Sequence, residues 1–356
     1  MKRTLSLVSV LSVALLFAAT PATGAANGYR VNKLVSDQPG KAAQVDPNLV
    51  NAWGLVAGPS TPWWVADNET NVSTLYDGTG AIVPLVVRVG GAPTGTVFNG
   101  GPEFVVSKGE DSGPSLFLFA TEAGTIRGWN PEVPKPSPST KAFTVVPASS
   151  RGPIYKGLAI ASTAGGDRLY AADFHNATID VFDGDFHRVA RPGAFADPNL
   201  PDGFAPFGIQ TIGKTIFVGY AKQDAAAEDE VAGRGLGYVD AFSRRGRLLA
   251  RVASGGKLNA PWGLALAPAD FGRFGGDLLV GNFGDGRINA YAPTGAGSYE
   301  HDGVLRRPSG VPVSIDGLWA LQFGNGGAAG PTNSLFFTAG PDDETHGLFG
   351  SIEAAG

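Results

Sequence analysis

The sequence predicts an all-β fold, a six-bladed β-propeller whose N-terminal strand completes the last blade. Three observations predict it: a glycine-opened strand that recurs six times, a period-two alternation after each copy, and two chain ends that each lack a sheet partner. Composition is compatible and removes alternatives. Of 356 residues, 43% are apolar and 17% charged, enough for a large core. Cysteine is absent, which excludes disulfides, thiolate catalysis and thiolate metal sites. The net charge is −5 with no basic patch, so no nucleic-acid partner is expected.

Residues 1–26 read as a secretory signal. Lys2 and Arg3 precede a small-and-apolar run from Leu5 to Ala19, and Ala22-Thr23-Gly24-Ala25-Ala26 supplies a cleavage zone. The run is short for a bilayer span and no second one follows, so no membrane association is expected after cleavage. Residues 27–356 then read as one propeller domain, secreted into a periplasmic or extracellular space and monomeric.

Six copies of the first strand begin at Gly54, Gly95, Gly157, Gly208, Gly263 and Gly317, spaced 41, 62, 51, 55 and 54 residues apart. A strongly apolar second strand follows each, from Trp63-Trp64-Val65-Ala66 to Leu335-Phe336-Phe337-Thr338. A third alternates, as in Thr178-Ile179-Asp180-Val181-Phe182. Fourth strands are expected at Val83–Val89, Ala142–Val146, Phe186–Ala190, Arg247–Val252 and Gly303–Arg306. The sixth unit ends without one, while Tyr29–Ser36 has no sheet of its own. Pairing the two closes the ring and removes a free edge.

Leu34-Val35-Ser36-Asp37-Gln38-Pro39-Gly40 and Asp46-Pro47-Asn48-Leu49-Val50-Asn51-Ala52-Trp53-Gly54-Leu55 resemble the opening of a family of exported bacterial β-propeller proteins. Pro93–Asn99 and Ala260–Leu264 resemble it too, and the likeness spans the mature chain. More distantly the repeats are similar to NHL-type and gluconolactonase-like propellers. The resemblance implies six blades and assigns no chemistry.

In such blades the residue before each opening glycine and the residue ending each second strand lie at one end of the channel. The first set is Trp53, Thr94, Lys156, Phe207, Trp262 and Asp316; the second includes Asp67, Asp173 and Asn282. Lys156 and Asp316 belong to opposite blades and are expected to face each other. Trp53, Phe207 and Trp262 either wall a ligand site or plug the channel. Asp67, Asp173 and Asn282, in alternate blades, either offer oxygen ligands to Ca²⁺ or cap their own turns. His175 is placed for general-base work or is simply solvated. Gluconolactonase-like propellers carry acidic or amide ligands before the glycines. Here Asp316 alone fits, and Trp53 stands where a carboxylate is expected. Asp46-Pro47-Asn48-Leu49 and Asp197-Pro198-Asn199-Leu200 read as rigid structural turns, and Glu228-Asp229-Glu230 as an exposed loop.

The favoured expectation is an exported binding or scaffold module with no cofactor, recognising a carbohydrate, another small molecule or a protein at the channel mouth. The alternative is a metal-dependent hydrolase or lyase, lactonase-like, using Asp67, Asp173, Asn282 or Asp316.

Overall fold

The computed structural model describes residues 28–295 and 297–355, and shows six antiparallel sheets around a common axis. The signal expected over 1–26 lies outside the described residues. First strands of successive blades pack side by side, and that of blade 6 returns to blade 1, so the ring closes. Among the described residues the one helical element is a 3-10 turn at Gly272–Phe274, and no helix is long and apolar enough to cross a membrane.

Blade 1 comprises Ala52–Val56, Trp63–Asp67, Val72–Tyr76 and Ile82–Arg88. Blade 2 comprises Pro93–Phe98, Phe117–Thr121, Ile126–Trp129 and Phe143–Val146, with a hairpin of Val105–Lys108 and Asp111–Pro114 inserted. Blade 3 has only Tyr155–Thr163, Gly166–Asp173 and Thr178–Phe182. Blade 4 is Phe204–Ile212, Thr215–Lys222, Tyr238–Ser243 and Leu248–Ser254. Blade 5 is Pro261–Leu266, Leu278–Asn282, Ile288–Gly295 and Ser298–Val304. Blade 6 joins Leu318–Phe323, Leu335–Ala339 and Leu348–Ala355 to the N-terminal Gly28–Ser36.

Two fourth strands depart from expectation. Phe186–Ala190 forms a single bridge, Phe182 to Arg188, instead of a strand. Asp183 caps a tight turn through Asp185 N and His187 N, Phe186 takes a left-handed φ of 64°, and Pro192-Gly193 then steers the chain away. In blade 5 the third and fourth strands form a long hairpin, so the outer strand starts at Ser298 rather than Gly303.

Gly28–Ser36 runs antiparallel to Leu348–Ala355, from Gly28 opposite Ala355 to Ser36 opposite Leu348, with a one-residue register shift between Lys33 and Val35. The alternation seen in the sequence buries Tyr29 and Val35. The Tyr29 hydroxyl donates to Phe271 O at 3.0 Å and accepts from Phe274 N at 3.2 Å, tying the closing strand to blade 5 as well.

The opening glycines are explained by close approach. A Cβ on Gly54 would stand 2.2 Å from Thr94 O, and one on Gly208 2.1 Å from Trp262 O. Each first strand thus lies against the next blade's axial backbone, which a side chain would hold off. Apolar clusters fill the spaces between neighbouring blades, and a seventh, mostly aromatic, sits on the axis.

Candidate axial binding site

Strand register decides which residues reach the axis. In blade 1, Ala52 faces Asp67 and Leu55 faces Val65, with Trp53 and Gly54 in the irregularity between. The same offset places Lys156, Phe207 and Trp262 on the axis in blades 3, 4 and 5. In blade 6, Leu318 faces Ala339 and Leu321 faces Phe337, so the equivalent of Trp53 is Trp319. Asp316 is therefore a correction: it is exposed, and its carboxylate accepts a hydrogen bond from Asp342 N at 3.0 Å. The glycine beside it, Gly317, serves a turn with φ of 61°, and the expected Lys156–Asp316 pair is not formed. Ala320 stands where the other blades carry glycine. The Thr338 hydroxyl fills that junction, accepting from Ala320 N at 3.1 Å and donating to Trp53 O at 2.5 Å.

The axis is closed by aromatic rings. Trp319 lies between Trp53, stacked at 3.7 Å, and Phe283, stacked at 4.1 Å, with Phe207 at 5.7 Å and Trp262 edge-on at 6.0 Å. Its indole N–H donates to Asn51 Oδ1 at 2.8 Å, and that of Trp262 to Lys156 O at 2.9 Å. Trp53, Phe207 and Trp319 are buried, so the plugging arrangement holds for them; Trp262 and Phe283 stay half-buried.

A charged constellation covers this plug. Lys156 is 1% exposed, and its ammonium donates to Glu122 Oε1 at 2.5 Å and Asp229 Oδ1 at 2.9 Å, 5.3 Å from the Trp53 ring centre. Burial disfavours its charge, but Glu122 and Asp229 outweigh that and its pKa rises. Glu122 Oε2 accepts from Asn68 Nδ2 at 2.9 Å, and Glu344 Oε2 from Asn51 Nδ2 at 2.6 Å. Burial pushes the Glu230 carboxyl up to about 8, with Lys156 opposing and Glu344 and Asp229 adding to the rise. Burial also raises Glu344, against the pull of its Asn51 hydrogen bond.

The backbone holding Glu344 is unusual. Asp342, Asp343 and Glu344 all take left-handed φ values of 55°, 52° and 65°, closed by Glu344 N donating to Gly340 O. Such residues each cost on the order of 1–2 kcal/mol and cluster where function requires them.

The other expected site residues lie apart from this constellation. Asp173 is buried and accepts from Asn176 N and Nδ2 and from Arg151, which makes it a turn cap. Asn282 donates to Lys257 O and Asp285 in its own turn. Asp67 is fully buried with neither oxygen hydrogen-bonded, and burial holds its pKa well above the ordinary range. Of the expected calcium set, Asp173 and Asn282 are thus engaged in separate turns, while Asp67 is sealed at the end of the second strand of blade 1. His175 faces the carbonyl of Ala227 at 3.2 Å, not Asp173. Asp46 and Asp197 cap their Pro-Asn turns through the backbone N–H of Asn48 and Asn199, and engage Tyr76 and Arg251. The acidic run is not a free loop. Gln223 anchors it to Phe174 O at 2.7 Å, and Asp229 reaches over the axis to Lys156.

These features define a class: a six-bladed propeller with an aromatic axial plug beneath a charged, hydrogen-bonded mouth. No family model matches the chain. It is 36% identical over 339 residues to an uncharacterised protein of Acanthamoeba polyphaga mimivirus, covering 91% of this chain and 80% of that protein. A second uncharacterised mimivirus protein is 35% identical over 341 residues, covering 91% and 85%. The chain belongs to this family. These relatives are viral, so the expected restriction to bacteria has no support. Among solved structures, a streptogramin B lyase aligns with a TM-score of 0.54 at 10% identity, over 94% of this chain and 100% of that one. A glucose dehydrogenase aligns at 0.51 and 11% identity, over 92% and 99%. At such identities the likeness extends to the fold alone.

Proposed function

We propose that this is an exported binding module whose axial mouth recognises a hydroxyl-rich small molecule carrying a positive charge, with amino sugars as the simplest class. The carrying observation is the buried Lys156 ammonium clamped by Glu122 and Asp229 above the Trp53 ring. Four acidic side chains surround one lysine, which leaves an acidic mouth even with Glu230 protonated at neutral pH. Glu122, Asp229 and Glu344 keep exposed carboxylate surface to accept from hydroxyls or an ammonium, held in place by buried Asn51 and Asn68, while Trp262 and Phe283 offer apolar faces. Clustered ionisable groups perturbed by burial and by specific charge partners are a physical signature of functional sites. The export element rests on the character of residues 1–26.

Calorimetric titration with glucosamine and glucose tests the reading. Glucosamine is expected to bind more tightly, and Glu344→Asn to weaken it about tenfold or more. Equal binding of both sugars, or affinity untouched by that substitution, contradicts it. One observation favours a second, enzymatic reading: a carboxyl held protonated to about 8, as Glu230 is, suits a general acid. Glu230→Gln would then abolish turnover of a bound glycoside while sparing its affinity.

A further inference from the structure

We propose that the cleft between blades 3 and 4 receives an extended peptide segment bearing an acidic group, which adds beside residues 178–180, the stretch of the outer edge of blade 3 that its own chain leaves unpaired. The other blades pair their third strand along its length. In blade 3 the outer partner makes one bridge, at Phe182–Arg188, with Val189 N donating to Val181 O at 2.7 Å. That bond shows that the peptide groups of Val181 point outward. By alternation those of Ile179 do too, and they have no hydrogen-bond partner among the described residues. Beside this edge lies a cleft of about 600 Å³, with Val189, Leu200, Phe204 and Tyr220 among its walls. Thr178-Ile179-Asp180-Val181 contains no lysine, proline or bulge, and its one charged side chain, Asp180, is already held by Arg151, Tyr155 and Arg188.

Charge and hydrogen bonding narrow the occupant. Arg188 is taken by Asp180 at 2.8 and 2.5 Å, whereas Arg191, on the same wall, has no ion pair or side-chain hydrogen bond among the described residues. Tyr220 lines the cleft, is 2% exposed, and its hydroxyl is unpartnered. An extended segment would take its backbone bonds from the Ile179 edge, rest apolar side chains on the cleft wall, and set a carboxylate against Arg191.

Fluorescence anisotropy with a labelled, acetylated Val-Thr-Val-Glu-Val-Thr peptide and its Glu-to-Lys counterpart tests this. The acidic peptide is expected to bind about fivefold more tightly, with the preference reversed by Arg191→Glu. Ile179→Pro removes an outward N–H without touching the inner ladder, and is expected to abolish binding while circular dichroism stays unchanged. Hydrogen exchange on the native chain supplies a check independent of both variants: the Ile179 amide should gain protection when the acidic peptide is added. Absence of saturable binding up to about 1 mM, equal affinity for the two peptides, or dimerisation through this edge without peptide would overturn the proposal. Glu344→Asn leaves this binding intact, which separates the result from that at the axial mouth.

Discussion

Blade 6 and blade 3 share a deficit and resolve it differently. Neither draws a fourth strand from its own stretch of chain. Blade 6 takes Gly28–Ser36 from the far end of the sequence and becomes a five-stranded sheet once Gln44–Val45 joins its edge. Blade 3 keeps three strands, and the chain that would have covered it pairs only at Arg188 and Val189 before turning away at Pro192-Gly193 to leave a cleft. The first arrangement is a stability device, because it locks a ring that has no disulfides. The second leaves backbone groups available, and the contrast separates what holds the molecule together from what it presents.

The largest expected effect breaks the first half of that contrast. Deleting residues 28–36 should abolish cooperative unfolding or drive aggregation, because blades 5 and 6 lose Tyr29 and a whole strand partner. A soluble deletion variant with an unchanged melting transition would refute the closure. Trp319→Ala should come next, destabilising the axis by about 3–5 kcal/mol in denaturant titrations.

Proline scanning sharpens the comparison. Asn32→Pro removes a ladder bond to Ser351 and should cost about 2–3 kcal/mol, against less than about 1 kcal/mol for Ile179→Pro. Equal costs would mean that blade 3 is covered after all.

pH exposes the mouth rather than the blades. Glu230 has a folded pKa raised to about 8, above its unfolded value, so the folded state holds a proton that the unfolded state releases. Its contribution to stability is full below the unfolded pKa and is lost as pH rises towards 8 and beyond. Glu230→Gln should flatten the stability profile between pH 5 and 9, measured by melting at fixed ionic strength. A variant profile parallel to that of the native chain would rule out this assignment.

The smallest effect has the more informative sign. Glu344→Gly relieves a left-handed residue, offsets the lost Asn51 hydrogen bond, and should leave stability unchanged or raise it by up to about 1 kcal/mol, while glucosamine binding falls. Destabilisation together with intact binding would place Glu344 in the scaffold instead.

The blades were legible because their signals are local: a close-approach glycine, an apolar second strand and an alternating third recur within each unit. The last unit shows the limit. Gly317 satisfies the pattern but serves a turn, while the axial position falls to Trp319 beside Ala320, where Thr338 supplies the spacing. Aligning Leu318-Trp319-Ala320-Leu321 with Ala52-Trp53-Gly54-Leu55 would have revealed it. Of the mouth, Lys156 and Trp262 follow from the repeat. Glu122, Asp229, Glu230 and Glu344 do not, because they come from turns of unequal length that converge only once the ring has formed. Glu228-Asp229-Glu230 looked like any solvated acidic loop; its anchoring by Gln223 is a tertiary contact with no sequence period. The three consecutive left-handed residues at Asp342–Glu344 likewise carry no glycine to announce them.

A crystal soaked with glucosamine bears most directly on the central claim that the Lys156 constellation is a recognition site. The account predicts density over Trp262 and Phe283, with hydroxyls or the ammonium within hydrogen-bond distance of Glu344, Glu122 or Asp229. Sugar density confined to the cleft beside Ile179, or an empty mouth under conditions where calorimetry detects binding, would contradict it.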